Sequence, residues 1–452
     1  MVDRSRFMRT WRAALAFAAL HAGPASAFGL MDAYQAALQN DPTYRAAQYE
    51  NESGQLARQL GHSTLLPNVS LQVSASKNHA ERTTATPFGP VTTDPSYISR
   101  LQLLSVRQPL YNPEGYARNA QGKAQASYSE AKLAGSRQDL LLRVTEAYLN
   151  VLLVEDFVAL AAAKRDTLLE QSRANARMFA VGEGTRTDML ETQARLDLAE
   201  AELIEANDSL ATMRRTLASI VGKEPGRLDR LHRLAGDFRI TATDQRSFEE
   251  WRAAALEHNA EIAAQRHAVE VAAQEIRKAR SGHLPRLDAV ASYSKGKSET
   301  VNTYDQEANV RSIGFQLNIP IYSGGHVSAT AGQAVASHHR TKAELDAAVA
   351  RTMVELEKNY RATQSSVARN DALAKAVDSA RLLVTATQQS VKGGVRVNLD
   401  VLNAKQQLFS AQRDLAQARY TYLLSTLRLR AFAGVLSVDD LAVVAGHFSS
   451  AH

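Results

Sequence analysis

The sequence contains no cysteine, and its helix-breaking residues are sparse. Its 452 residues include 23 glycines and 11 prolines. The lack of cysteine excludes disulfides, thiolate metal sites, a cysteine nucleophile and a lipid anchor on an N-terminal cysteine. Ala, Leu, Glu, Gln, Arg and Lys dominate instead. This composition is typical of long helices or coiled coils.

Residues 1–27 differ from the rest of the chain. Four arginines precede a short apolar run at 13–20, and residues 25–27 (Ala-Ser-Ala) fit a small-x-small cleavage site. We therefore predict a signal peptide over 1–27 and an exported chain that begins at Phe28. No later run of 18 apolar residues occurs, so the sequence predicts no transmembrane helix.

The charge and the motifs of the remaining chain exclude several function classes. Without residues 1–27 the net charge falls from +6 to +3, and no basic run or RNA motif is present, so we expect no nucleic-acid partner. No P-loop, H-E-x-x-H or Ser-His-Asp order is found. The sequence therefore predicts no enzyme, no cofactor and no metal site.

One stretch of the chain repeats another at an offset of 212 residues. The matched pairs are Gly182 and Gly394, Asp188 and Asp400, Leu190 and Leu402, and Gly222 and Gly434. Between them, a seven-residue series runs through Leu196, Leu203, Leu210 and Leu217, and its counterparts are Leu408, Leu415, Tyr422 and Leu429. So many matches at one offset indicate an internal duplication. The seven-residue period predicts a coiled-coil seam.

Each half shows the same order of elements. Helical composition is followed by two runs of period-two alternation, a long helix, a glycine-containing break and another helix. In the first half these lie at 44–65, 69–76, 101–108, 117–179 and 187–221. In the second half they lie at 261–283, 287–293, 310–319, 327–391 and from the break to 433. We predict repeats at 28–222 and 259–434, an inter-repeat equatorial segment at 223–258 and a tail at 435–452.

The predicted fold class is mixed, mainly α with β. The long helices are expected to form antiparallel coiled coils with the shorter ones. The four alternating runs are strands with one apolar and one polar face, and a four-stranded sheet has open edges. Three copies would supply twelve strands and close a membrane barrel. A small soluble sheet that caps a helical bundle is the alternative.

The breaks between the helices contain the candidate site residues. Gly182, Gly184, Gly393 and Gly394 are interpreted as turn formers rather than a phosphate loop, because neither break follows a strand. Each following helix begins with an acid, Asp188 or Asp400. Both acids could simply complement the helix dipole, and Arg396 could be a solvated surface charge.

Several short motifs, in this order, resemble those of the TolC family of outer-membrane channel proteins. They are Leu-Pro before the first strand of each half (66–67 and 284–285), Pro-Leu/Ile-Tyr after the second (109–111 and 320–322), and the turn Gly-x-Arg-x-x-x-Asp-Val-Leu at 394–402. The resemblance covers nearly the whole chain after residue 27. It implies a homotrimer with a twelve-stranded transmembrane β-barrel in outer-membrane lipid of a Gram-negative bacterium. The barrel would continue into a helical tunnel in the periplasm.

The resemblance also implies partners and a function. Such channels dock onto a periplasmic adaptor (membrane fusion) protein and an inner-membrane ABC exporter or other pump. Because the chain has no cysteine for lipidation, it is more similar to the branch that serves type I secretion of a protein, such as a toxin, than to the drug-efflux branch. A drug or small-molecule efflux duct remains the alternative.

Roles for individual residues follow from the same resemblance. Asp400 and Asn403 match the tunnel constriction, where the family has two acidic rings, so the amide at 403 implies a weaker negative ring. Arg396 matches one partner of a gate-holding contact, and Thr187 with Asp188 match the other.

Two other classes of protein stay open at this point. A periplasmic coiled-coil structural or adaptor protein would share the heptads, but it would lack amphipathic hairpins at mirrored places. A cell-wall hydrolase would need a catalytic pair, which the motifs do not supply.

Overall fold

The computed structural model describes residues 28–449 except 225–227, 229, 236–237, 239, 241–245 and 304. The predicted signal peptide lies outside the described residues. Nine α-helices are described, and we number them α1 to α9 in chain order. They are Leu30–Asn40, Pro42–Ser63, Pro113–Ala180, Arg186–Val221, Phe248–His258, Ala260–Arg280, His326–Lys392, Asn398–Phe432 and Val438–Ala445. No helix among the described residues is both long and apolar enough to cross a membrane.

The strands were predicted in the right places but too short. Labelled β1 to β8, they are Asn68–His79, Arg82–Thr86, Gly89–Thr93, Ser96–Tyr111, Arg233–Leu234, Arg286–Lys297, Glu307–Asn318 and Phe448–Ser449. The four long strands form one antiparallel sheet in the order β1-β4-β6-β7. Two further pairs, β2 with β3 and β5 with β8, were not predicted.

The chain divides into two compact units, and the smaller unit contains the four-stranded sheet. It comprises Gln48–Ala134 and Ala260–Ala350. The register aligns chemically similar residues across all four strands. Ser70 lies opposite Ser105, which lies opposite Ser292, which lies opposite Ser312. The next row is apolar and consists of Val69, Val106, Ala291 and Ile313. Because successive residues of a strand point to opposite faces, the sheet has one hydroxylated and one apolar face here.

The other unit contains the seam and the largest buried side chains. It comprises the described residues of Met1–Ala47, Gly135–Asn259 and Arg351–His452. Trp251 on α5 packs with Leu356 on α7 and Leu429 on α8. The buried hydroxyl of Tyr148 donates to the carbonyl oxygens of Phe28 and His232, at 3.0 and 3.2 Å. These contacts hold the first described residue and the inter-repeat segment against α3.

The heptad residues face inward as predicted. Leu196 and Leu217 on α4 are buried, and Leu203 and Leu210 between them are half-buried. On α8, Tyr422 and Leu429 are buried, whereas Leu408 and Leu415 are half-buried. The predicted helix lengths are also close, since α3 and α7 have 68 and 67 residues and α4 and α8 have 36 and 35.

Candidate functional site

The candidate site lies at the two turns that join α3 to α4 and α7 to α8. In the first turn Gly182 has φ +82°, and its N–H donates to the carbonyl of Phe179, while the N–H of Glu183 donates to that of Met178. This pair of hydrogen bonds around a left-handed glycine is the Schellman motif, which ends helices because glycine adopts positive φ without strain. At Gly184 the absence of a side chain lets the turn lie close to the end of α3, since a Cβ there would be 3.0 Å from the backbone nitrogen of Phe179.

The second turn repeats these bonds at the offset of 212. Gly394 has φ +72° and donates to the carbonyl of Val391, and Val395 donates to that of Ser390. Gly393 continues the helical pattern, because its N–H donates to the carbonyl of Gln389. The glycines thus form turns, as interpreted from the sequence, and one glycine of each turn takes the left-handed conformation.

The two mirrored acids differ in what their carboxylates contact. Thr185 caps α4: its Oγ1 accepts from the backbone N–H of Asp188 at 3.0 Å and lies 2.5 Å from the Asp188 Oδ2. The Asp188 carboxylate therefore serves its own helix start. At the equivalent place Val397 offers no side-chain cap. Within the described part of the chain, the half-buried Asp400 carboxylate has no hydrogen bond or ion pair.

The predicted gate residues do not meet within one chain. Arg396 and Thr187 are both exposed. Among the described residues, no hydrogen bond or ion pair joins Arg396 to Thr187 or to Asp188.

Asn403, by contrast, has a partner that the sequence did not reveal. The Nη2 of Arg195 on α4 donates to its Oδ1 at 2.8 Å, and the same nitrogen lies 3.3 Å from Oε1 of Glu191. Nearby, Gln171 on α3 donates to Asn398 at 3.2 Å. The bonds from Arg195 to Asn403 and from Gln171 to Asn398 join residues 208 and 227 positions apart, so no local sequence pattern could have predicted them.

A groove beside these contacts carries excess positive charge. Lys164, Arg195 and Lys405 line a cavity of 360 Å³, and Glu202 is the only acid along it. Glu202 is paired with Lys164 at 2.6 Å. Burial lowers the pKa of Lys405 because it penalises the charged ammonium.

The comparisons with known proteins identify the family. The family described as outer membrane efflux protein matches residues 33–223 and 251–435. The chain belongs to the outer membrane efflux protein family. The resemblance inferred from the sequence is thus confirmed, and the protein is an outer-membrane protein, as predicted.

Two relatives of this efflux family are similar over almost their full length. The alkaline protease secretion protein AprF of Pseudomonas aeruginosa is 42% identical over 445 residues, which cover 98% of this chain and 92% of AprF. The proteases secretion protein PrtF of Dickeya chrysanthemi is 36% identical over 433 residues, which cover 96% and 94%. The alternative of a periplasmic coiled-coil spacer or adaptor is set aside by this match.

A solved structure confirms the predicted fold class. The outer membrane channel CmeC of Campylobacter jejuni superimposes with a TM-score of 0.79 over 93% of this chain and 90% of CmeC, at 16% identity. At this identity the likeness concerns the fold alone. Among the described residues, no group of three or more histidine, aspartate or glutamate side chains is placed to hold a metal ion.

Proposed function

We propose that the protein is the outer-membrane channel of a type I secretion system and that it exports a protein cargo of the protease class. The similarity to two protease secretion proteins over nearly the whole chain supports this assignment. Deleting the gene should abolish extracellular protease in the native host while leaving sensitivity to small toxic molecules unchanged. If only drug sensitivity changes, the channel is a drug-efflux duct.

The unpaired edges of the sheet support a homotrimer. Strand β1 is one edge and β7 the other, and the two run in opposite directions because all three pairings between them are antiparallel. β7 of one copy can therefore pair with β1 of the next, which keeps the whole ring antiparallel. Three copies give twelve strands, and closure removes every open edge from the lipid. Sedimentation in detergent should give three chains per particle, and a monodisperse monomer contradicts the proposal.

The two faces of the sheet support a membrane barrel with a wet lumen. Ile313, Phe315 and Leu317 are large, exposed and all on one face of β7, and Leu71 is on the same face of β1. On the opposite face the hydroxyls of Ser70 and Ser105 are hydrogen-bonded at 2.7 Å, as are those of Ser292 and Ser312. Apolar-out and polar-in alternation is the pattern of outer-membrane barrels.

The free carboxylate of Asp400 supports its role at the tunnel constriction. Three copies would bring three such carboxylates together, and a ring of like charges attracts cations. Asp400→Ala should lower cation selectivity and block by multivalent cations in planar bilayers. Asp414→Ala, farther along the same helix, is the control and should change neither. If the two variants behave alike, Asp400 is only an acid at a helix start.

The exposed Arg396 supports a gate contact between copies of the chain. In this proposal its guanidinium holds the turn of one helix pair against Thr187 and Asp188 of a neighbouring pair. Arg396→Ser should raise single-channel conductance, because it removes a charge-assisted hydrogen bond from the closed state. An unchanged conductance would remove Arg396 from the gate.

The two turns also support docking of a periplasmic adaptor that links the channel to an inner-membrane ABC exporter. Val181, Val395 and Val397 are 71%, 82% and 62% exposed, an unusual concentration of apolar surface on two short turns. Val181→Asp with Val395→Asp should reduce chemical cross-linking of the channel to its adaptor in whole cells. Wild-type cross-linking would place the adaptor elsewhere.

We also propose that the chain arose by duplication, with repeats at 28–222 and 259–434, an equatorial segment between them and a short tail at 435–452. The Schellman bonds of the two turns, which match at the offset of 212, support this division. If each repeat folds as a unit, two fragments produced by cutting the chain near residue 246 should reassemble.

A further inference from the structure

A single guanidinium contacts the same position of both repeats. Arg195 donates to Asn403 at 2.8 Å and is ion-paired with Glu191 at 3.3 Å. Glu191 and Asn403 are equivalent at the offset of 212. Arg195 therefore joins the second turn of α4 to the second turn of α8 through positions that the duplication made alike.

The contact has no counterpart from the other repeat. The residue equivalent to Arg195 is Gln407, which is exposed and uncharged. The Arg195 side chain is only 28% exposed. Its partial removal from water strengthens its hydrogen bonds, and hydrogen bonds from charged donors are about twice as strong as neutral ones.

Two further contacts hold the same end of α8. Asn398 accepts from Gln171, and Leu402 packs against Leu168 and Leu196 in a buried cluster. Asp400 lies between Asn398 and Leu402 in the sequence. Any movement of the start of α8 away from α4 must break the bond between Arg195 and Asn403.

We infer that Arg195 is a positioning residue that latches the start of α8 to α4, and that its guanidinium would pair with an acid introduced at position 403. The inference rests on the proposed channel function, because it makes Arg195 part of the closed state and Asp400 the acid that remains unpaired at the constriction. An aspartate at 403 would be ion-paired with Arg195 and would not create a second free acidic ring.

The latch is tested by a substitution of Arg195 that removes its charge but keeps an unbranched side chain. Arg195→Met should raise the open fraction of channels in planar bilayers about tenfold, the factor expected for loss of one hydrogen bond to a charged group. Asn403→Ala breaks the same bond from the other side and should have the same effect. Arg173→Met is the control, since Arg173 is exposed on α3 and has no described side-chain partner. An equal open fraction in the Arg195 and Arg173 variants would overturn the latch.

The charge assignment is tested with a double variant. Asn403→Asp alone should change block by a trivalent cation only slightly, because the new carboxylate shares the guanidinium of Arg195 with Glu191. Combined with Arg195→Met, the same substitution should lower the blocking concentration about tenfold or more, since the new carboxylate and Glu191 then both lack a guanidinium partner, which leaves six unpaired carboxylates per trimer. If Asn403→Asp alone produces the full change, Arg195 does not neutralise position 403.

A third measurement does not depend on channel activity. Amide hydrogen exchange of residues 398–403 in the purified protein should be faster in Arg195→Met than in Arg173→Met, because the start of α8 loses its attachment. If wild-type protein forms no channels in bilayers, the proposed function fails, and the exchange rates alone decide whether the latch exists. Equal exchange in the two variants rejects it.

Discussion

Gly434 lies directly against the backbone of Asn259. A Cβ on Gly434 would be 2.5 Å from the Asn259 nitrogen and 2.3 Å from the carbonyl oxygen of His258, and the glycine has φ +74°. The Nδ2 of Asn259 donates to the carbonyl of Phe432 at 2.9 Å. The end of α8 is thus fixed to the end of α5. In the first repeat Gly222 ends α4 at φ +68° and lies against the Asn40 side chain in the same way.

The first prediction follows from this contact. Gly434→Ala should destabilise the protein by at least about 2 kcal/mol, because it combines a strained left-handed residue with a backbone clash. Gly222→Ala should also destabilise the protein, since Gly222 has φ +68° and an added Cβ would lie 2.5 Å from the Cβ of Asn40, which moves only with its backbone. Gly332→Ala is the control, because Gly332 lies inside α7 with open space around it. It should stabilise by up to about 1 kcal/mol. Thermal melting of the three variants ranks them, and the reverse order contradicts the prediction.

The second prediction concerns the seam. Leu196→Ala should cost roughly 2–5 kcal/mol, because Leu196 is 4% exposed and packs against Leu168 and Leu402. Leu203→Ala should cost less, since Leu203 is only half-buried in the chain. Denaturant unfolding of the helical part measures both. An equal cost would mean that Leu203 is covered by another copy of the chain.

The third prediction tests which face of the sheet meets lipid. Phe315→Arg should prevent stable insertion, because an arginine on the lipid face of a barrel costs roughly 2–4 kcal/mol at the bilayer midplane. Gln316→Arg places the same charge on the opposite face and should be tolerated. Heat-modifiable mobility of the trimer from outer-membrane fractions distinguishes them. If only Gln316→Arg is damaging, the two faces are assigned the wrong way round.

The fourth prediction is a dependence of stability on pH. Burial alone would raise the pKa of Asp41, but hydrogen bonds from Arg143 and from the backbone N–H of Tyr44 outweigh it and hold the pKa below its ordinary value of 3.8. A lowered folded pKa stabilises the protein above the unfolded value, and this stabilisation is lost as pH falls through the folded pKa.

Asp41→Asn should therefore lower the melting temperature at about pH 5 to 8, and the difference from wild type should shrink below about pH 4. Asp139→Asn is the control. Asp139 also pairs with Arg143 but is 62% exposed, so its loss should matter little. A difference between Asp41→Asn and wild type that persists at low pH would show that Asp41 does not act through its charge.

The elements with a regular period could be predicted from the sequence. The predicted helix 187–221 begins one residue after the observed start of α4, because Thr185, Gly182 and the seven-residue leucines are local signals. The strands were predicted from the alternation of apolar and polar residues, but the predicted strands were shorter than the observed ones. At the strand ends farthest from the helices, Lys, Asn, Arg and Glu occur on both faces. The alternation of apolar and polar residues is therefore lost there, although the backbone pairing continues.

The parts that were not predicted depend on contacts between residues distant in the sequence or on weaker local sequence signals. The β2–β3 hairpin was not predicted, although its threonines favour strands. At the candidate site the turns and Asp400 were identified. Arg195 was not, because nothing in its surroundings on α4 distinguishes it from other surface arginines.

The near-equal lengths of α3 and α7 restrict which insertions and deletions this protein can tolerate during evolution. One residue inserted in the middle of α3 would rotate every later side chain by about 100° relative to the earlier ones. Leu168 would then turn away from Leu196, and the same holds along the whole seam. The loops between sheet strands carry no such constraint: residues 80–95 hold an extra hairpin, whereas residues 298–306 are roughly half as long. Insertions and deletions should therefore accumulate in those loops and be eliminated from the long helices.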